Sequence, residues 1–206
     1  MANLKGGVSG LKYSIIREEF HRAYLNRLGK SPEYDAVVVM GGGDSRGYLT
    51  KIHRLFNENS FFLSRKIIMV LGPLVEGKLT EFDGQSIGNV TVLKNPNNVA
   101  DIMAGAKVGI TNGGTSLMEF TMLGVPTLIF PQSEREENFI APFLEKGCGV
   151  LGLLEPDNFA RQVFEICEND SLRKSMSKRA KTLVDGKGAY RIADLILGTF
   201  FSGVLN

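Results

Sequence analysis

A chain of 206 residues with 43% apolar and 22% charged side chains has enough material for one packed domain, and this balance excludes a fibrous or disordered protein. A net charge of +2 without an aromatic-studded basic cluster argues against nucleic acid as a partner. The two cysteines, Cys148 and Cys167, show neither metal-type nor disulfide-framework spacing, so a reducing cytoplasm is expected and no metal or cofactor is called for.

Residues 1–10 are glycine-rich where a signal peptide would need an apolar core, and no such leader is expected. Residues 11–28 carry Ile16, Phe20, Ala23 and Tyr24 at helical spacing with charges between, a leading helix that ends near Gly29 and Pro32. Residues 36–40 are a continuous apolar run, the pattern of a strand buried on both faces, and lead directly into Gly41-Gly42-Gly43-Asp44-Ser45. A helix follows with Leu49, Ile52, Leu55 and Phe56 on one face. The next strand covers 66–71 and stops at Gly72-Pro73. Residues 75–87 lack a clear period and read as a short helix and a loop. A strand at 89–93, a turn at 95–98 and a short helix at 99–106 come next. Then 108–110, the turn Asn112-Gly113-Gly114, the amphipathic segment 116–123 and the apolar run 126–130 form a unit of strand, glycine turn, helix and strand. A helix over 134–146, a short strand at 149–153 and three helices complete the chain. The terminal apolar run, 195–205, is too short and interrupted to span a bilayer.

Strands alternating with helices at this spacing predict a doubly wound, Rossmann-like parallel sheet of about six strands with helices on both faces, because parallel neighbours need crossover connections. Residues 1–33 read as a leading helix and linker and 34–206 as the domain proper. In such a sheet a ligand belongs at the carboxyl edge of the strands, where free helix amides and the positive end of the helix dipole favour an anion. The turn at 112–115 is the best candidate for a phosphate, and Glu119, one turn into its helix, is placed to reach a sugar hydroxyl. The same residues, Ser116-x-x-Glu119, also form a capping box that would do no more than satisfy the helix amides. Similarly, the turn at 41–47 offers either a backbone approach to phosphate or sugar, or a tight turn in which Asp44 and Ser45 cap the next helix. His21 and His53 fall on helices away from the carboxyl edge, and Glu134, Glu136 and Glu137 read as a solvated first turn, so no catalytic base is assigned. The basic run at 173–181 reads as a solvated helix face, with an anionic membrane as its alternative.

The run Ile110-Thr111-Asn112-Gly113-Gly114-Thr115-Ser116-Leu117-Met118-Glu119, with Leu123-Gly124-Val125-Pro126-Thr127 and Pro131, resembles the nucleotide-binding half of GT-B glycosyltransferases. Tyr13, Arg17 and Phe20, the glycines at 41–43, Gly72-Pro73, and Asp185-Gly186-Lys187-Gly188-Ala189 with Arg191-Ile192 bring the resemblance nearest to the UDP-sugar hydrolases of pseudaminic acid biosynthesis and their spore-coat polysaccharide relatives. The resemblance implies that Gly113, Gly114 and Thr115, after Asn112, face a diphosphate, and that Glu119 binds ribose hydroxyls. It implies further that the turn at Asn95 meets uracil with Val99 packing nearby, and that Gly42, Gly43 and Asp44 lie close to phosphate or sugar. Arg135 precedes Asn138 where the wider family often has Gln-x-x-Asn, a departure that affects the sugar contacts. The family's hydrolytic histidine belongs to an N-terminal half, so this chain is expected to bind UDP or a UDP-sugar and to work with a missing N-terminal domain or partner subunit. The implied activity is a cytoplasmic nucleotide-sugar hydrolase acting on a UDP-linked deoxyamino sugar. The alternatives are a glycosyltransferase using the same donor and a non-catalytic assembly subunit.

Overall fold

The computed structural model describes residues 8–204, with side chains through 198. The glycine-rich start at 1–7 and the end of the terminal apolar run at 205 lie outside the described residues. In chain order the elements are α1 (Glu18–Arg27), β1 (Tyr34–Val39), α2 (Tyr48–Glu58), β2 (Ile67–Leu71), β3 (Ser86–Ile87), β4 (Val90–Lys94), α3 (Val99–Ala104), β5 (Ala106–Thr111), α4 (Thr115–Leu123), β6 (Thr127–Ile129), α5 (Glu134–Phe139), α6 (Ala141–Glu145), β7 (Gly149–Leu151), α7 (Pro156–Glu168), α8 (Asp170–Leu183) and α9 (Gly188–Val204).

The strands form one sheet in the order β3-β4-β2-β1-β5-β6-β7. Six of them run parallel, as the alternation of strands and helices requires. The seventh, β3, is a two-residue antiparallel edge strand paired with β4, in a stretch that the sequence reading assigned to helix and loop. A 3-10 turn at Lys78–Phe82 is what remains of the expected helix there.

The central strands are buried on both faces, and their side chains divide between two cores by the two-residue period of a strand. Val38, Met69, Val92 and Ile110 pack with Leu49, Ile52 and Phe56 of α2 and Phe159 and Val163 of α7. Val37, Val39, Ile68 and Val70 face the other way, onto Phe20 of α1, Met103 of α3, Leu117 and Phe120 of α4 and Phe143 of α6. The leading helix therefore shares a core with the crossover helices. The helix expected over 134–146 is broken at Ile140 into α5 and α6, and Pro142, which has no amide hydrogen, sits in the first turn of α6. On α9, Leu195, Ile196 and Leu197 stay substantially exposed. Among the described residues no helix is long and apolar enough to cross a membrane.

The start of α9 fastens the segment that precedes α1. Arg191 donates to the Lys12 carbonyl at 2.8 Å and holds Asp185 through two nitrogens. That double hydrogen bond pulls the Asp185 carboxyl down from 3.8 to about 2. Because the folded value is depressed, the pair stabilises the fold above the ordinary carboxylate range and the benefit disappears as pH falls through about 2. Asp185→Asn should therefore be less stable than wild type near neutrality, with the gap closing on acidification toward pH ~2. Urea midpoints at stepped pH measure this, and a gap that stays constant with pH contradicts it.

Candidate functional site

A cavity of about 460 Å³ opens at the carboxyl edge of the sheet, where strand order reverses between β1 and β5. One wall consists of Gly41 and Gly42 after β1 and Gly72 and Pro73 after β2; the opposite wall is Asn112, Thr115, Ser116 and Glu119. Asn95, Pro96, Val99 and Met103 close one end, and Arg17 reaches in from the segment before α1.

The α4 terminus supplies the polar donors. Its N-cap is Gly114, whose lack of a side chain leaves the helix without a side-chain cap. The capping box read from Ser116 and Glu119 does not form, because the helix begins at Thr115 and both residues already lie inside it. Among the described residues the amides of Thr115 and Ser116 have no protein acceptor, and a nine-residue helix points its positive end at the cavity. Buried Asn112 donates through Nδ2 to Glu136 Oε1 at 2.8 Å, while its Oδ1 is without a partner.

Glu136 is not the solvated side chain expected of it. One carboxylate collects Asn112 Nδ2, the Gly113 amide at 3.0 Å and the Gln132 amide at 2.8 Å. The Gly113 amide, expected to face a diphosphate, is thus already satisfied, and Gly113 is packed beneath α5, where an added Cβ would lie 2.8 Å from Ile140. Asp44 likewise is spent on structure. Its two oxygens accept from the Tyr48 and Leu49 amides at 2.8 and 2.7 Å, so it caps α2, as one of its two sequence readings had it. Of the candidate residues, Gly42, Asn95, Val99, Asn112, Thr115 and Glu119 line the cavity, whereas Gly43, Asp44, Gly113 and Gly114 do not.

Glu119 is the charged group at the centre of the site. Its side chain is 5% exposed and pairs with Arg17, which is 56% exposed. Burial raises the Glu119 pKa, and Arg17 only partly offsets this. At the other end Asn95 is held with a φ of +46°, uncommon for a non-glycine residue, while its amide donates to the Leu71 carbonyl at 2.9 Å. Sequence reasoning missed three contributors: the Arg17 contact, the close approach at Gly72, and Gln132. The Gln132 amide oxygen accepts from the Ser45 backbone and hydroxyl, and its nitrogen donates to the Met40 and Gly43 carbonyls, so it ties the first loop to the sixth strand. Asn-Gly turns after apolar runs marked the region, but no local signal marked these long-range contacts.

Neither histidine lines the cavity. His53 sits on α2 with its Nε2 3.2 Å from Asn57, and burial lowers its pKa. His21 lies against Gly186. Among the described residues no group of acids, cysteines and histidines is placed to hold a metal. A larger cleft, about 850 Å³, lies at the amino edge, but its inner cations are engaged within the fold. Lys107 bonds Asp35 at 2.7 Å, and Arg173 donates to the Ile166 and Cys167 carbonyls at the end of α7.

Known proteins resemble this chain in sequence and in fold. The chain is 26% identical over 194 residues to the spore coat polysaccharide biosynthesis protein SpsG of Bacillus subtilis (strain 168), covering 91% of this chain and 57% of SpsG. It is 30% identical over 168 residues to the UDP-N-acetylglucosamine--N-acetylmuramyl-(pentapeptide) pyrophosphoryl-undecaprenol N-acetylglucosamine transferase of Lactobacillus helveticus, covering 75% and 45%. In structure, a Listeria monocytogenes protein assigned as a UDP-N-acetylglucosamine 2-epimerase matches with a TM-score of 0.62 and 16% identity over 91% of this chain and 50% of that one. The chain has the fold of a GT-B C-terminal half-domain. No protein-family model matches it. The half-domain spans about half the length of the curated relatives it matches. The cavity lies at the strand edge of this fold and is lined by free helix amides and a buried carboxylate, with neither histidine among its lining residues.

Proposed function

We propose that this half-domain binds the UDP moiety of a UDP-sugar and works with an N-terminal half or partner subunit that supplies the catalytic base, in a cytoplasmic step of surface polysaccharide or nonulosonic acid biosynthesis. The observation that carries this reading is the pairing of two unclaimed helix amides, Thr115 and Ser116, with the buried carboxylate of Glu119 in one cavity. The amides suit the diphosphate oxygens and the carboxylate suits the ribose hydroxyls. Asn95, Pro96 and Val99 are left for the uracil.

In the reaction the bond between the anomeric carbon and the β-phosphate oxygen breaks, and its electron pair leaves with UDP, whose growing charge meets the α4 terminus. Water attacks the anomeric carbon and loses its proton to a base outside this chain, giving the free sugar and UDP. The sugar of this reading is a deoxyamino sugar, as in the spore-coat and pseudaminic acid branch. Transfer to an acceptor alcohol is the second reading, supported by the 30% identity to the N-acetylglucosamine transferase.

Calorimetric titration should show UDP binding to the half-domain more tightly than ADP or NAD. Glu119→Gln should weaken UDP by about tenfold or more, the cost of losing a hydrogen bond to a charged acceptor. It should leave the fold largely intact, since the amide keeps the shape of the side chain and its oxygen can still accept from Arg17. Equal affinity for the three nucleotides contradicts the proposal.

A further inference from the structure

We propose that Arg17 is a positioning residue for the ribose site: it grips one oxygen of the Glu119 carboxylate so that the other is presented to the two hydroxyls of a bound nucleoside diphosphate. The inference rests on the nucleotide reading above and adds to it a residue from outside the sheet.

The geometry is asymmetric. Arg17 brings two nitrogens, Nε and a terminal NH2, to the same atom, Glu119 Oε1, each at 3.0 Å. Glu119 Oε2 has no protein donor among the described residues, and it is not one of the side-chain atoms sealed from solvent. It therefore opens to the cavity that Glu119 lines, where a ligand can take it. A diol is the ligand chemistry that fits a lone carboxylate oxygen, since hydroxyls donate to it without adding charge.

The arginine is itself held in place. Its guanidinium lies 4.8 Å from the ring centre of fully buried Phe20 and bonds Glu19 at 2.8 Å. The chain leading to it is fastened by Arg191 on the Lys12 carbonyl and by the close seating of Gly188 on the Tyr13-Ser14 backbone. Asp185, Gly188 and Arg191, none of which lines the cavity, thereby set where Arg17 can reach.

The test compares UDP with 2′,3′-dideoxy-UDP on wild type, Arg17→Met and Arg17→Lys by calorimetry. Wild type should prefer UDP by about tenfold or more, as expected for hydrogen bonds to a charged acceptor. Arg17→Met should bring the ratio close to one, whatever affinity the two compounds lose in common with the cation. Arg17→Lys, which keeps the charge and loses the two-nitrogen grip, should fall between. It also decides the matter if Arg17→Met does not fold. An Arg17→Met protein that keeps the full preference, or that loses both ligands equally, overturns the role of Arg17 while leaving UDP binding intact. A wild type without affinity for UDP overturns the nucleotide reading, and this one with it.

Discussion

Gly72→Ala should cost about 3 kcal/mol of stability, or roughly 6–12 °C in Tm for a domain of this size, and abolish measurable UDP binding. A Cβ at Gly72 would collide with the Gly41 carbonyl oxygen and come within 2.7 Å of the Gly42 carbonyl oxygen. Both obstacles are main chain, so no side-chain rotation relieves them. The loops after β1 and β2 are also laced together here, with the Leu74 amide on the Gly42 carbonyl at 2.9 Å. Gly41 itself holds a φ of +73°, a backbone conformation that glycine adopts readily and L side chains rarely do. Separating the loops would therefore displace one whole wall of the cavity. Thermal unfolding and UDP titration measure the two effects; a variant with wild-type Tm and affinity would mean that the loops part without cost.

The second large effect is expected at Gly188, some distance from the cavity. An alanine there would drive its Cβ into the Ser14 carbonyl oxygen and to 2.5 Å from the Tyr13 carbonyl carbon. Replacing glycine at the start of α9 gains at most about 1 kcal/mol in helix propensity, which is smaller than an overpacking cost of about 1–3 kcal/mol against backbone. The clash should win, giving a protein less stable than wild type by about 1–2 kcal/mol. More diagnostic is the ligand profile. Shifting residues 13–14 moves Arg17 off Glu119, so Gly188→Ala should lose the preference for UDP over its dideoxy analogue as Arg17→Met does. Normal discrimination in a destabilised Gly188→Ala protein would show that the α9 contact serves stability alone.

The glycines at both positions were visible in the sequence as parts of a resemblance, Gly72-Pro73 and Asp185-Gly186-Lys187-Gly188. Their physical purpose was not. Each is needed because two stretches of main chain, separated in sequence, pack so closely that a methyl group on one would overlap the other. Asp44 and Glu136 show the same limit from the other side. A carboxylate beside a glycine turn is compatible with ligand, cap or solvent, and only its neighbours decide among them. Asp44 found the amides of α2, and Glu136 found Asn112, Gly113 and Gln132.

The sheet and the edge where its cavity opens were legible because their causes are local. A strand buried on both faces must be a continuous apolar run, parallel neighbours must be separated by crossover helices, and turns that follow such strands must fall on one edge. The six parallel strands and the turns at 41–43, 95 and 112–115 follow from those rules alone. What tertiary structure decided was the chemistry at that edge: which amides stayed free, which carboxylate was consumed, and that Arg17 meets Glu119 across 102 residues of sequence. Hydrophobic periodicity records how each segment meets water, whereas a hydrogen bond between distant segments depends on where the packed elements finally place two side chains.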